Sequence, residues 1–471
     1  MKNKNIAEDI PSATVAIITG RAADPLVRQA ARILRRELAA RGGVRVVPRA
    51  QAGLRLVLTV RPGIGDEGFE IADGAPGEVR ISGNDPRGVL YGVGKWLRTV
   101  RFGRGGVTPG GWRGRSVPAK PVRGIYFATH FHNFYHDAPL RDVTRYVEEL
   151  ALWGCNALSV WFDMHHFTGM DDPHARTMVR RLRALLLAAN RVGIRAAFTT
   201  LSNEAFSTSP AALRADWTSG HDGYFREPGG HYHVEICPSK RGGLKRILAD
   251  RDAMLQAFAG IDVGYFWLWP YDQGGCTCAA CAPWGANGHL KVSEAVARLV
   301  GKRFPRAKRI LSTWYFDHFI HGEWEAFARR INAERPRWFE MILADDSGVS
   351  FPEFILKHGV PGGYPLVTFA EISMYDMSPW GGFGANPLPS HFQNIWNQCG
   401  GLVSGGFPYS EGIYEDINKA IQFQFGWDPQ RSAIEIVREY AAYEYGPEAA
   451  DDVVRAVRLM EEGHGHQIDY A

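Results

Sequence analysis

Eight short apolar segments recur between Arg123 and Asn418, and nearly every one runs directly into carboxylate, imidazole, amide or aromatic side chains. In chain order they are GIYFATHFH (Gly124 to His132), NALSVWFDMHH (Asn156 to His166), RAAFTTLSNE (Arg195 to Glu204), VGYFWLWPYD (Val263 to Asp272), RILSTWYFDH (Arg309 to His318), WFEMILADD (Trp338 to Asp346), PLVTFAEISMYD (Pro365 to Asp376) and GLVSGGFPYSE (Gly401 to Glu411). Stretches with helical apolar spacing separate them, most clearly Leu140 to Trp153, Ala175 to Val192, Leu244 to Phe258, Lys291 to Phe304 and Glu323 to Ala333. Strand followed by helix, repeated, predicts a parallel sheet. Eight such units predict a (β/α)₈ TIM barrel, whose functional side chains gather at the C-terminal ends of its strands.

A barrel takes about 250 to 300 residues, so a chain of 471 leaves room for more. Ala13 to Gly20 reads as a buried strand, and Pro25 to Gly43 has helical spacing with a Gly-Gly stop. The short strands VRVVP, LRLVLTV, FEIA and VRISG and a helix from Arg87 to Val100 follow. This is a small α/β domain without paired acids or a phosphate loop, so support or docking is its expected role. The Gly- and Pro-rich stretch from Phe102 to Pro121 marks a boundary. The predicted organisation is 1–118 for the small domain with its linker, 119–427 for the barrel and 428–471 for a C-terminal helical extension packed on the barrel. That extension consists of helices over Ser432 to Tyr445 and Glu448 to Gly463, after one over Tyr414 to Phe425.

A net charge of +4 with dispersed basic residues argues against nucleic acid, and Arg180, Arg181 and Arg183 read as a solvated helix face. No apolar run reaches the ~18 residues of a membrane helix. Glu8 and Asp9 precede any apolar run, as no secretory signal would have it. The chain as written reads as cytoplasmic, or as secreted or periplasmic if a signal has been removed; a homo-oligomer is compatible with it. The 14 Trp and 17 Tyr, many at strand ends, suit stacking on sugar rings.

Cleavage of a glycosidic bond uses two carboxyl groups, one protonated to help the leaving oxygen depart and one ionised to activate water or attack carbon. Asp272 follows three aromatics and a proline, and desolvation there would raise its pKa as an acid demands, although Asp before Gln-Gly-Gly is also ordinary turn chemistry. Asp345 and Asp346 are adjacent on a strand, so one faces the site, with Asp346 favoured. Glu371 sits deep in its strand, where an unpaired carboxylate is costly; water activation, substrate binding and a structural ion pair all fit. Glu204, Glu411 and Asp317 read as hydroxyl-binding residues. Asn203, His130, His132, His165 and His166 belong with them, and Trp269, Trp314, Tyr315, Tyr375 and Tyr409 would line the pocket.

Cys276, Cys278 and Cys281 follow Asp272 directly, and Cys237 precedes this unit. Four thiolates could close a structural zinc site; disulfides and free thiols are the other readings. Four sulfur ligands leave no open position for a catalytic water, so no cofactor is expected for catalysis.

VRISGNDPRGVLYGVGKWLR (Val79 to Arg98) resembles the end of the small domain that precedes the barrel in family 20 β-hexosaminidases and family 67 α-glucuronidases. SEGIYEDINKAIQFQFGWDPQRSAIEIVREYAAYEYG (Ser410 to Gly446), ILADDSG and TFAEISMYD resemble segments of the α-glucuronidases. The resemblance implies that Asp346 or Asp345, together with Glu371, activates water while Asp272 acts as acid. The strand-four acid of the α-glucuronidases is a glutamate, and the Asp-Glu pair of the hexosaminidases is replaced by Tyr271-Asp272. PYDQGGCTCAACAPWG is closer to glucuronidase-like barrel proteins with a cysteine-rich strand-four loop. The expectation is an exo-acting glycoside hydrolase that releases a terminal sugar, acidic in one version, with inversion by analogy. The alternatives are a retaining N-acetylhexosaminidase-like enzyme using Asp345-Asp346, a non-catalytic carbohydrate-binding barrel, and a metal-dependent hydrolase.

Overall fold

The computed structural model describes residues 12–103, 105–108, 110–130, 132–216, 234–271, 275–318, 321–345, 350–373, 386–413 and 415–464. The chain begins with β1 (Thr14–Thr19), α1 (Pro25–Gly42), β2 (Arg45–Val46), β3 (Leu54–Val60), β4 (Phe69–Asp73), β5 (Glu78–Gly83) and α2 (Pro86–Thr99). A two-stranded ribbon, β6 (Phe102–Gly103) and β7 (Gly106–Val107), leads to β8 (Gly114–Ser116). The six-stranded sheet has the order β2-β1-β3-β5-β4-β8. The stretch read as a linker therefore supplies an edge strand, with Phe69 opposite Ser116 and Ile71 opposite Gly114.

Both helices of this unit start where local chemistry dictates. Asp24 and Asp85 accept N–H bonds from the first turns, and Pro25 and Pro86 occupy the first helical positions. α2 is buried on several faces. A Cβ on Gly94 would lie 2.1 Å from the Leu152 carbonyl oxygen, so only glycine allows α2 to come this close to the barrel.

The barrel follows as β9 (Val122–Phe127), α3 (Phe134–Asp137), α4 (Leu140–Leu152), β10 (Ala157–Trp161), α5 (Pro173–Arg191), β11 (Arg195–Leu201), α6 (Gly243–Ala257) and β12 (Val263–Trp269). It continues through α7 (Gly288–Arg303), β13 (Lys308–Ser312), α8 (Glu323–Glu334), β14 (Met341–Asp345), α9 (Glu353–His358), β15 (Leu366–Phe369), α10 (Pro389–Cys399), β16 (Val403–Gly406) and β17 (Tyr409–Ser410). The chain closes with α11 (Asp416–Trp427), α12 (Ala433–Tyr445) and α13 (Ala450–His464). Eight parallel strands, β9 to β16, form a closed ring, since β16 pairs with β9 through Gly405–Val122 and Gly406–Arg123. Phe407 and Pro408 interrupt the eighth strand, and β17 resumes the pairing with Tyr409 opposite Tyr126. The predicted fold class holds: an α/β TIM barrel, preceded by a small α/β unit and followed by helices. No described helix is long and apolar enough to cross a membrane.

Three details differ from the sequence reading. α9 and α10 were not anticipated, although Phe392, Ile395, Trp396 and Cys399 of α10 carry helical spacing and are buried. Arg181 and Arg183 do not simply face solvent. Arg181 donates to the Tyr135 and Ala138 carbonyls, and Arg183 to those of Ala257 and Ala259, so both tie the ends of neighbouring elements. The C-terminal helices also grip the small unit: Lys95 and Arg98 of α2 meet Glu439 of α12, and Arg41 of α1 meets Glu444.

Arg123, fully buried in β9, links the small unit to the barrel. It pairs with Glu67 and donates to the Gly154 and Lys120 carbonyls, while Glu67 also meets Arg87 at 2.7 Å and Asn156 at 3.1 Å. Breaking a buried pair from one side leaves a stranded charge, which costs about 3–5 kcal/mol. Glu67→Ala is expected to lose about that much in urea denaturation, while Glu294→Ala, from the exposed Glu294–Arg298 pair, changes stability by no more than ~0.5 kcal/mol.

Candidate active site

Aromatic side chains fill the barrel interior. Tyr265 packs edge-on against Phe407 near its base, and Trp267 touches Phe407, Tyr126 and Phe369 above it. Trp269 stacks on Trp314 at 5.2 Å and meets Phe369 at 4.9 Å. Tyr409 stands 5.8 Å from Tyr126 and 6.0 Å from Phe369. These rings make an apolar floor under the strand ends. Three of the predicted pocket residues, Trp269, Trp314 and Tyr409, belong to it, and the buried Trp314 indole N–H has no acceptor among the described residues.

Carboxyl groups rise from this floor on one side. Asp345 ends β14 opposite Phe369, and paired residues of parallel strands share a face. Since Phe369 packs on Trp267 and Trp269 inside the barrel, Asp345 is the inward-facing position of its strand. The sequence reading had favoured Asp346; Asp346, like Asp272 and Tyr375, lies outside the described residues. Glu371, two residues beyond Phe369, bridges Tyr409 in parallel register and accepts the Ser373 N–H at 2.9 Å. Tyr409 donates its hydroxyl to Glu411 at 2.6 Å. Burial raises the Glu411 pKa, and its Tyr409 hydrogen bond opposes that shift.

The loop that carries Glu411 is set by a buried cluster that sequence reasoning missed. The Glu415 carboxylate accepts the N–H groups of Glu411 (2.7 Å) and Gly412 (3.2 Å) and the Ser373 hydroxyl, and pairs with Lys419 at 3.1 Å. The i,i+4 spacing of Glu415 and Lys419 was the available signal. A second clasp lies across the mouth: Glu323 accepts the Tyr271 hydroxyl at 2.5 Å and the Gly285 N–H at 2.7 Å. Asp317 receives the Glu323 N–H at 2.5 Å at the start of α8, so it satisfies a donor of that helix's first turn. Tyr315, in a left-handed conformation (φ 55°), lies against Trp314 and His318.

The first and second strand ends form the histidine side of the mouth. His130 accepts or donates to the Tyr126 hydroxyl at 2.6 Å and stacks on Trp161. Buried Asp163 lies 2.5 Å from His165 and 3.5 Å from the exposed His166, while His132 is exposed and pairs with Asp137. A cleft of about 690 Å³ opens here, lined by Thr129, His130, His132, His136, Asp163 and His166 among others, with Arg181 at its edge. Two predicted residues lie deeper. Glu204 is fully enclosed, held by Trp161 (3.2 Å), Thr200 (3.1 Å), Met164 N–H (2.5 Å) and Arg251 (3.6 Å). Its oxygens are engaged inside the wall. Asn203 is equally buried and donates to the Ile236 carbonyl at 3.2 Å.

Beside Tyr271, the four cysteines Cys237, Cys276, Cys278 and Cys281 bring their Sγ atoms within 4.8 Å of one another. Cys237 Sγ lies 3.8 Å from both Cys278 and Cys281. That is far beyond the ~2.05 Å of a disulfide. It matches the edge of a sulfur tetrahedron around an ion with ~2.3 Å metal–sulfur bonds. The Asp216 N–H points at Cys276 Sγ (3.4 Å). This cluster could hold a metal.

No family model and no curated protein matches the chain. Solved structures do resemble it. A GH138 enzyme targeting pectin rhamnogalacturonan II has a TM-score of 0.64 at 13% identity, over 96% of this chain and 69% of that one. The GH20 β-N-acetylhexosaminidase of Streptomyces coelicolor A3(2) has a TM-score of 0.59 at 14% identity, over 92% of each chain. The Clostridium perfringens GH89 protein in complex with GlcNAc-α-1,4-galactose has a TM-score of 0.64 at 12% identity, over 94% of this chain and 53% of that one. At such identities the likeness is one of fold alone: a (β/α)₈ barrel. The likeness to family 67 is not tested by these neighbours.

Burial pushes the Glu323 carboxyl from 4.5 up to about 7. The folded state then holds this proton more tightly than the unfolded chain, so stability is fullest below pH ~4.5 and falls as pH rises through ~7. The loss is on the order of 1–3 kcal/mol. Glu323→Gln should flatten the fall of Tm across this pH span; a variant curve parallel to that of the wild type contradicts the assignment.

Proposed function

We propose that the protein is an exo-acting glycoside hydrolase that removes a terminal sugar, acidic in one version, from an oligosaccharide or glycoconjugate. The observation that carries this reading is the grouping of Asp345, Glu371 and Glu411 on one side of a mouth floored by Trp269, Trp314 and Tyr409. Rings of this kind stack on the apolar face of a pyranose. The likeness in fold to structures described as glycoside hydrolases supports the same class. Carbohydrate is the only partner the reading requires.

In the proposed chemistry one carboxyl protonates the leaving oxygen and another activates water. Asp272 is the acid the sequence offers, and Glu371 with Asp345 or Asp346 the water-activating pair. Beside Glu371, Glu411 is a half-buried carboxyl whose pKa burial raises, as a proton donor requires. Inversion is the proposed outcome, by analogy. The second reading, a retaining N-acetylhexosaminidase-like enzyme, draws on the GH20 neighbour.

The cysteine cluster is proposed to hold a structural zinc ion that braces the loop next to Tyr271, since four thiolates at tetrahedral separations saturate the metal. Such an ion takes no part in bond cleavage.

A panel of nitrophenyl glycosides, uronides and N-acetylhexosaminides included, together with natural glycans, tests the activity. Wild type is expected to turn over at least one glycoside of the panel, a uronide in the acidic version, with kcat lowered about 10²- to 10⁴-fold in Glu371→Gln and Asp272→Asn. Turnover of N-acetylhexosaminides alone selects the second reading. Glycan binding without turnover identifies a binding barrel, and full activity in both variants removes these residues from the site. Metal analysis of the purified protein should give one zinc per chain, lost in Cys278→Ser; zinc retained by that variant contradicts the ligand set.

A further inference from the structure

A second cavity, of about 340 Å³, lies where the small unit, the barrel and the C-terminal helices meet. It is remote from the strand C-termini, and its walls include Lys95 and Arg98 of α2, Arg115 of β8 and Arg431 in the loop before α12. Trp112 and Trp427 present rings to it, and Asp428 is the acid among its lining residues. Behind the wall, Glu439 alone receives Lys95 (3.0 Å), Arg98 (2.8 Å) and Arg431 (2.8 Å). Positive charge therefore outweighs negative in a partly enclosed space. The neighbouring Arg123–Glu67–Arg87 group, with two cations on one carboxylate, adds to the same sign. Concentrating cations in this way is costly unless an anion neutralises them.

The donors are of the kind that recognise tetrahedral oxyanions, three of the four being guanidinium groups with paired N–H donors. The rings supply the other half of a recognition site. Trp427 is fixed by its indole N–H to Ser116 Oγ at 2.7 Å, and Trp112 packs edge-on against Phe69. A fixed indole beside a cationic corner suits a ring that bears a charged substituent.

We propose that this cavity is a binding site for a small sugar that carries a phosphate or sulfate group, separate from the barrel mouth. The ester oxygens meet Arg115 and Arg431, and the ring lies along Trp112. The site spans three parts of the chain, so occupancy clamps the small unit and the C-terminal helices to the barrel. It does not rest on the activity proposed for the mouth.

Calorimetric titration of the full chain with glucose 6-phosphate, glucose 6-sulfate, inorganic phosphate and glucose tests this. At least one ester is expected to bind and to raise Tm, with affinity falling about tenfold in Arg115→Gln and again in Arg431→Gln. Arg115 sits on an exposed edge strand, so its variant leaves the fold intact even if Arg431→Gln, which touches Glu439, unfolds. Asp345→Asn, at the barrel mouth, should bind the ester as wild type does. No binding of either ester, unchanged affinity in Arg115→Gln, loss in Asp345→Asn, or inorganic phosphate binding as tightly as the esters would each overturn the proposal.

Discussion

The close approach of β16 to β9 governs everything at the functional end of the molecule. A Cβ on Gly405 would lie 1.7 Å from the Val122 carbonyl oxygen, and one on Gly406 would lie 2.1 Å from Thr368 Oγ1. Gly405 also has φ 114°, a conformation open to glycine. Only with both glycines can the eighth strand sit between β15 and β9 and close the ring. Closure of an all-parallel sheet brings the eight C-terminal ends to one rim, so that acids far apart in sequence become neighbours.

Within that rim, burial sorts the carboxylates into two sets. Glu204, Glu323 and Glu415 have their oxygens engaged by indole, hydroxyl, backbone and basic partners, as buried charge requires. They hold strand ends and loops in place. Asp345, Glu371 and Glu411 stand over the aromatic floor, and burial raises the Glu411 pKa. The aromatic fill below keeps the site shallow and confines chemistry to the mouth. The cysteine cluster and the Glu323 clasp brace the fourth strand's exit from both sides.

The barrel was legible because parallel strands buried on both faces read as apolar runs and the helices between them keep their 3.6-residue spacing. Predicted and observed helices agree to within a few residues, as for Leu140–Leu152 and Gly243–Ala257. β8 was not legible, since three residues in a Gly-rich stretch carry no periodicity. α10 carried a readable pattern that was passed over. The candidate site was legible as a set of strand-end acids but not in its division of labour. Glu204 and Asp317 look like Glu371 in sequence; a partner such as Arg251 or the first turn of α8 becomes visible only in three dimensions. Asp345 is assigned its inward face by register with Phe369, which no local pattern reveals.

The central claim is that water, activated by a carboxyl at this rim, attacks the anomeric carbon of a bound sugar. Hydrolysis in ¹⁸O-labelled water, followed by mass spectrometry of both products at short reaction times, tests it most directly. The account predicts one ¹⁸O at C1 of the released sugar and none in the leaving group. Label in the leaving group, or release without label at C1, would contradict it.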